Sequence, residues 1–228
     1  MIKNPFAALE DAEENPQLIP KEHKPNNNKP NKPNNNRKKR ASKGKADQPL
    51  VWIDLEMTGL DLEKDVILQI AVIITDGNLE NVIEGPELVI HHSDEVLSNM
   101  NDWCIDHHGS SGLTAAIRES KLSMKEAETQ VLQFVKQHVK QSAGVVAGNS
   151  VYVDVGFLKK DMRELADYFH YRILDVSTVK ELARRWFPAD YVKAPKKQML
   201  HTAMADIRES LEELRHWRKA IFKEPPPL

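Results

Sequence analysis

Three strand-like segments lie too close together in this chain for a helix to fit between them. They are LVWIDLEM at 50–57, VILQIAVIITD at 66–76 and ENVIEGPELVIH at 80–91. Parallel neighbours need a crossover of about a dozen residues or more, and these gaps are shorter. The three segments should therefore pair antiparallel. The middle one is nearly all apolar, as expected of a strand covered on both faces. Residues 76–78, Asp-Gly-Asn, turn the chain, and Gly85-Pro86 makes the third segment irregular.

Beyond them the text alternates. SMKEAETQVLQFVKQHV reads as a helix opened by a capping box, Ser123 with Glu126, and striped by Met124, Ala127, Val131, Phe134 and Val135. GVVAGNS is a fourth strand, VDVGFLKKDMRELADYF one helix, and YRILDVS a fifth strand. TVKELARRWF is a helix with a second capping box, Thr178 and Glu181, stopped by Pro188. The last helix should run from about Thr202 to Phe222 and bury Ile207, Leu211, Leu214 and Trp217. The fold class is α/β, a mixed five-stranded sheet with helices on both faces.

Residues 1–48 differ in kind. KPNNNKPNKPNNN and RKKRASKGK offer nothing to bury, so this segment reads as a disordered extension. A short helix at Pro5–Glu14 would be weak. The basic run Arg37–Lys45 offers a weak hold on nucleic acid or an import factor, or is simply solvated charge. The domain expected to do the chemistry is 49–222, and 223–228 a flexible tail. The opening residues carry neither the apolar stretch of a signal peptide nor an acid-poor presequence. No apolar run is long enough for a membrane span. Cys104 is the single cysteine, which excludes an intrachain disulfide and a cysteine-built zinc site. The net charge of −2 does not mark the whole chain as a polyanion binder, although a local positive site suffices for short pieces.

Within the first strand stand two carboxylates, Asp54 and Glu56. Residues two apart on a strand share a face, and like charges held close together repel. Such a pair taken alone is equally consistent with solvated acids. Asp154 follows the fourth strand, Asp175 closes the fifth, and Asp206 begins the last helix. Strand ends of an open α/β sheet are where sites gather. Several convergent carboxylates call for a hard divalent cation, and oxygen ligands suit Mg²⁺ or Mn²⁺.

These segments resemble the 3′-to-5′ exonuclease family built on three aspartates, one glutamate and a histidine. Within it, they are similar to the oligoribonucleases. The likeness rests on WIDLEMTGLD, NDWCIDHHGSSGL, AGNSV, YRILDVSTVKELARRWFP, APKK and HTAMADIRES, in order, from about Leu50 to Phe222. It implies a ribonuclease H-like sheet, two metal ions per site and a homodimer. Asp54, Glu56, Asp154 and Asp206 would be the ligands, with His201 as general base. Asp54 would serve both ions. Leu60 and Trp103 would lie beside the bases, Met57 and Ser150 would line the same pocket, and Tyr171 would reach the partner's site. By their own chemistry Lys196 and Lys197 are either a solvated pair or, near the active loop, guides for a terminal phosphate. The implied reaction is the stepwise release of nucleoside 5′-monophosphates from oligoribonucleotides of two to about five residues. Two departures from the family pattern stand out: Ala205 where an acid is usual before Asp206, and Val155-Gly156 where a basic residue is common after Asp154.

Two other functions compete. One is a DNA-directed exonuclease of the same superfamily. The other is a non-catalytic RNA-binding subunit, whose signature would be a lost carboxylate; none is lost. The expected compartment is the cytoplasm, with mitochondrion and nucleus as alternatives.

Overall fold

The computed structural model describes residues 48–195 and 202–223. The expected helix at 5–14, the basic run 37–45, Lys196, Lys197 and His201 lie outside the described residues. Five strands form one sheet: β1 (Leu50–Met57), β2 (Ile67–Thr75), β3 (Val82–Val89), β4 (Val145–Gly148) and β5 (Ile173–Asp175). Their order is β3-β2-β1-β4-β5. β1, β2 and β3 pair antiparallel, as their spacing requires, and β4 and β5 join in parallel. The β2–β3 register slips between Ala71 and Ile73, opposite Gly85-Pro86, where proline cannot donate to the ladder.

The helices are α1 (Asp94–Ser98), α2 (Asp102–Ser110), α3 (Leu113–Glu119), α4 (Met124–His138), α5 (Tyr152–Asp161), α6 (Arg163–Ala166), α7 (Val176–Trp186), α8 (Pro188–Tyr191) and α9 (Ala203–Ala220). Two apolar clusters flank the sheet. Val51, Ile53, Leu55 and Met57 point toward α4, α5 and α6, where Val131, Val135, Phe157 and Leu165 meet them. Leu50 and Trp52 point the other way, toward α7 and α9, onto Ala183, Ile207, Leu211 and Trp217. All four residues expected to be buried by α9 are buried. Truncating Trp217 to Ala would cost about 3–5 kcal/mol. Among the described residues no helix is long and apolar enough to cross a membrane.

Two helix boundaries correct the sequence reading. The expected single helix over 153–169 breaks at Met162, whose φ of −131° and ψ of 60° are not helical. The cause is tertiary: buried Glu128 of α4 accepts the backbone N–H groups of Glu164 and Leu165 at 2.7 and 3.1 Å. A carboxylate there caps a new helix start. The capping box expected at Thr178 and Glu181 does not form. Asp175 caps α7 instead, accepting the Ser177 N–H at 3.0 Å, and Glu181 pairs with Arg184 and Arg185. The capping box of α4 does form, with Ser123 N–H donating to Glu126 Oε2 at 2.9 Å.

Candidate metal centre

Side-chain alternation along β1 carries on past its apolar residues. Leu50 and Trp52 face α9, so Asp54 and Glu56 face it too. Asp206 stands in the first turn of α9, and the packing of Ile207 and Leu211 against the sheet brings it in. Carboxylate oxygens of Asp54, Glu56 and Asp206 lie within 4.8 Å of one another, and all three residues are half-buried. Among the described residues no second group of this kind occurs. The donors are all oxygen and all anionic, which fits a hard divalent cation.

Asp154 stands beside this trio rather than in it. The β1–β4 pairing reaches only to Trp52, so the backbone N–H groups farther along that edge need other partners. Asp154, on the first turn of α5, accepts the Leu55 N–H through Oδ1 at 3.0 Å. It is thereby fixed to the backbone between Asp54 and Glu56.

The crowding has an electrostatic consequence. Burial pushes the Glu56 carboxyl up from 4.5 to about 8, and the charges of Asp206 and Asp154 push the same way. Burial likewise raises Asp154 to about 7, against the pull of its backbone hydrogen bonds. Without a cation these acids therefore tend to keep protons, and with one they can all ionise.

The other expected residues fall in different places. Met57 ends β1 and is buried; Leu60 follows in a loop and packs on the core. That loop is tightly held. Asp65 accepts from Thr58 Oγ1 and from the Asp61 N–H, each at 2.9 Å, and a Cβ on Gly59 would sit 2.3 Å from Asp65 Oδ2. A side chain at position 59 would therefore displace the Asp65 carboxylate from these bonds. Trp103 of α2 is half-buried and stacks on His107, with centroids 4.3 Å apart. Ser150 takes a left-handed φ of 50°, and its N–H donates to Asp175 Oδ1 at 3.0 Å. Asp175, read as one of the gathering acids, thus serves as a cap and brace.

Tyr171 is not gathered with the carboxylates. It is 82% exposed, stacks on His170, and helps line a cavity of about 220 Å³ together with Val155, Leu158, Phe169 and Ile173. Val155, which replaces the family's common basic residue, packs against the core at that cavity.

One histidine stands next to the trio without having been a candidate in the sequence. His108 looks like a surface residue beside His107, yet it is 1% exposed. Its Nε2 lies 3.0 Å from the Met57 carbonyl. A carbonyl only accepts, so Nε2 carries the hydrogen. That leaves Nδ1 bare, with no hydrogen-bond partner and 3.9 Å from Glu56 Oε2. Burial lowers the ring's pKa, so the imidazole stays neutral beside the acids. The four-residue step from Cys104 to His108 on one helix face was the available signal, since Cys104 is fully buried.

Comparisons with known proteins agree with this geometry. A family described as "Exonuclease" matches residues 51–214. A protein of Dictyostelium discoideum named "Probable oligoribonuclease" is 56% identical over 174 residues, covering 76% of this chain and 90% of its own. "Oligoribonuclease, mitochondrial" of Mus musculus is 52% identical over 177 residues, covering 78% of this chain and 75% of its own. Among solved structures, exonuclease I of Methylocaldum szegediense superposes with a TM-score of 0.58 at 21% identity, over 76% of this chain and 41% of that one. The chain thus spans about two fifths of that structure, and at such identity the likeness shows the fold alone. The acidic trio sits on the matched segment of a chain more than half identical to its relatives, and the chain belongs to the oligoribonuclease family of exonucleases.

Proposed function

We propose that this chain is a 3′-to-5′ exoribonuclease that degrades oligoribonucleotides of two to about five residues to nucleoside 5′-monophosphates. The observation that carries the reading is the convergence of Asp54, Glu56 and Asp206 within 4.8 Å, in a chain whose relatives are named oligoribonucleases. Asp54, Glu56, Asp206 and Asp154 would hold two Mg²⁺ or Mn²⁺ ions. Bound there, such ions polarise the phosphodiester, lower the pKa of an attacking water and stabilise the leaving oxygen.

The remaining work belongs to the protein. His201, two positions before the first residue of α9 and five before Asp206 in the sequence, would serve as the general base that accepts the water's proton. Leu60 and Trp103 would lie beside the bases, with Met57 lining the same pocket and Ser150 close to it. A rigid loop under Leu60 lowers the ordering cost of binding. Lys196 and Lys197 would hold a terminal phosphate. The active unit is proposed as a homodimer in which Tyr171, exposed on one protomer, reaches the other's site. A cytoplasmic enzyme is proposed. The mitochondrial names of the mouse and bovine relatives support a mitochondrial one as the alternative, and fractionation decides.

The test is a time course on a five-nucleotide RNA labelled at its 5′ end, with Mg²⁺ or Mn²⁺ and after chelation. The expected result is a descending ladder to the labelled mononucleotide, lost on chelation and regained with metal. Faster turnover of the matching deoxyribonucleotide would favour the DNA-directed reading. Binding without cleavage in either metal would favour a non-catalytic subunit.

A further inference from the structure

Two glutamates of the helices are almost wholly buried: Glu128 on α4, 4% exposed, and Glu213 on α9, 5% exposed. Glu128 is accounted for by the start of α6 and by its ion pair with Lys125. Glu213 has no part in the chemistry proposed above. Its Oε2 accepts from Asn149 Nδ2 at 3.2 Å and its Oε1 from Trp217 Nε1 at 3.2 Å, while Lys180 Nζ of α7 lies 4.0 Å away. The same Asn149 amide donates to Ser210 Oγ at 2.8 Å, and Ser210 Oγ donates to the backbone carbonyl of Asp206 at 2.8 Å. Asn149 is the first residue after β4, directly before the left-handed Ser150 and the turn into α5. A connected set therefore runs from Glu213 through Asn149 and Ser210 to Asp206. It ties the helix that carries one acid of the trio to the turn that leads to Asp154.

We propose that Asn149, Ser210 and Glu213 are positioning residues that set the first turn of α9 against the end of β4, and thereby hold Asp206 at binding distance from Asp54 and Glu56. The proposal rests on the divalent-cation reading of the trio. Two acids of the trio stand on β1 and the third on α9, so their spacing depends on how α9 is seated, and apolar packing alone is non-directional. A buried, connected hydrogen-bond set is directional, and partners of this kind tune metal affinity as strongly as they orient ligands. Glu213 is what makes the Asn149 contact stiff. A buried carboxylate must keep its donors, since losing them leaves a charge without compensation. One amide group then serves both Glu213 and Ser210, so the turn after β4 and α9 cannot shift independently.

The experiment titrates Mn²⁺ into the full-length protein without substrate, reading free Mn²⁺ by electron paramagnetic resonance, with the thermal midpoint measured alongside. The variants are Glu213→Gln, which keeps the shape but replaces one acceptor oxygen by a donor, and Ser210→Ala, which removes the bridge to Asp206. Glu128→Gln is the control for a buried glutamate away from the trio. Mn²⁺ affinity is expected to fall roughly 10- to 100-fold in Glu213→Gln and Ser210→Ala. Glu128→Gln is expected to lower the thermal midpoint and leave Mn²⁺ affinity unchanged. Should Glu213→Gln not fold, Ser210→Ala decides by itself. Unchanged Mn²⁺ affinity in the folded variants overturns the proposal, as does an equal loss in Glu128→Gln, which would make the effect one of general stability. A wild-type protein that binds no Mn²⁺, or binds it equally well after Asp54→Asn, fails at the earlier step and refutes the cation reading itself.

Discussion

Replacing Glu56 by Gln should make the metal-free protein less sensitive to pH and more stable at pH 8. The Glu56 carboxyl is pushed up from 4.5 to about 8, by burial first and then by Asp206 and Asp154. An acid raised in this way binds its proton more tightly in the folded state than in the unfolded one. Its contribution to stability is complete below pH 4.5 and is lost as pH rises toward and through 8. Between pH 6 and 8 the unfolded group is ionised throughout, while the folded group goes from protonated to about half ionised. At about 1.4 kcal/mol per pH unit, less the part offset near the folded pKa, that window removes about 2 kcal/mol. For a chain of this length the thermal midpoint should fall by roughly 4–8 °C. Neutral His108 at 3.9 Å does not offset the charge. Asp154, raised to about 7, loses its proton in the same window, so the Gln variant should keep part of the slope. The assay is thermal unfolding at pH 6, 7 and 8 in chelator, with and without the substitution, repeated in Mn²⁺. Mn²⁺ should flatten the wild-type slope and stabilise the variant less. Parallel slopes for the two proteins in chelator would show that Glu56 titrates near its ordinary value and that the trio is not the crowded cluster described.

Asp54→Asn keeps the side-chain shape but removes a carboxylate from the trio. Turnover should fall roughly 10³-fold or more at saturating substrate, and near-normal turnover at limiting Mg²⁺ would remove Asp54 from the site. His201→Ala should leave folding and Mn²⁺ affinity intact while lowering turnover roughly 10²- to 10⁴-fold; its pH–rate profile should lose the acid limb, and unfolding instead would make the histidine structural. A chain beginning at Gln48 should keep wild-type turnover of a diribonucleotide, because the Asn/Pro/Lys segment has little to bury; a large drop would give that segment a place over the site. Mixing Asp54→Asn with Tyr171→Ala protein should restore up to about a quarter of normal activity on random subunit exchange, since each mixed dimer carries one intact site. No recovery after demonstrated exchange would place Tyr171 in its own subunit's site or outside catalysis.

The sheet and the shared face of Asp54 and Glu56 were legible in the sequence because both follow from local period, whereas the choice of Asp206 among the other acids came from the family resemblance. The short spacing of β1, β2 and β3 fixed their antiparallel pairing, and the two-residue alternation of β1 placed Asp54 and Glu56 on one face. The 3.6-residue stripe of α9 decided which face of that helix meets the sheet. Helices α1, α2 and α3 were not legible. In α2 the run Trp103, Cys104, Ile105 is consecutive rather than spaced by three and four, and Ile105 is 42% exposed in the fold, so the helical period that exposes an amphipathic segment is missing.

What stayed hidden in the sequence was chiefly the set of side chains that satisfy backbone groups far away in the chain. Asp154 meets the N–H of Leu55 across 99 positions, Glu128 starts α6 from 36 positions away, and Asp175 holds Ser150 from 25. No pattern along the chain announces such bonds, because the requirement comes from where a strand loses its neighbour or a helix begins without a local cap. β4 is four residues long, and its register leaves β1 unpaired on that edge just where Asp54 and Glu56 project. The short strand therefore opens room for acids and also creates the N–H that anchors one of them. Lengthening β4 would satisfy Leu55 through the ladder and take away Asp154's anchor, so the site depends on the sheet being incomplete there.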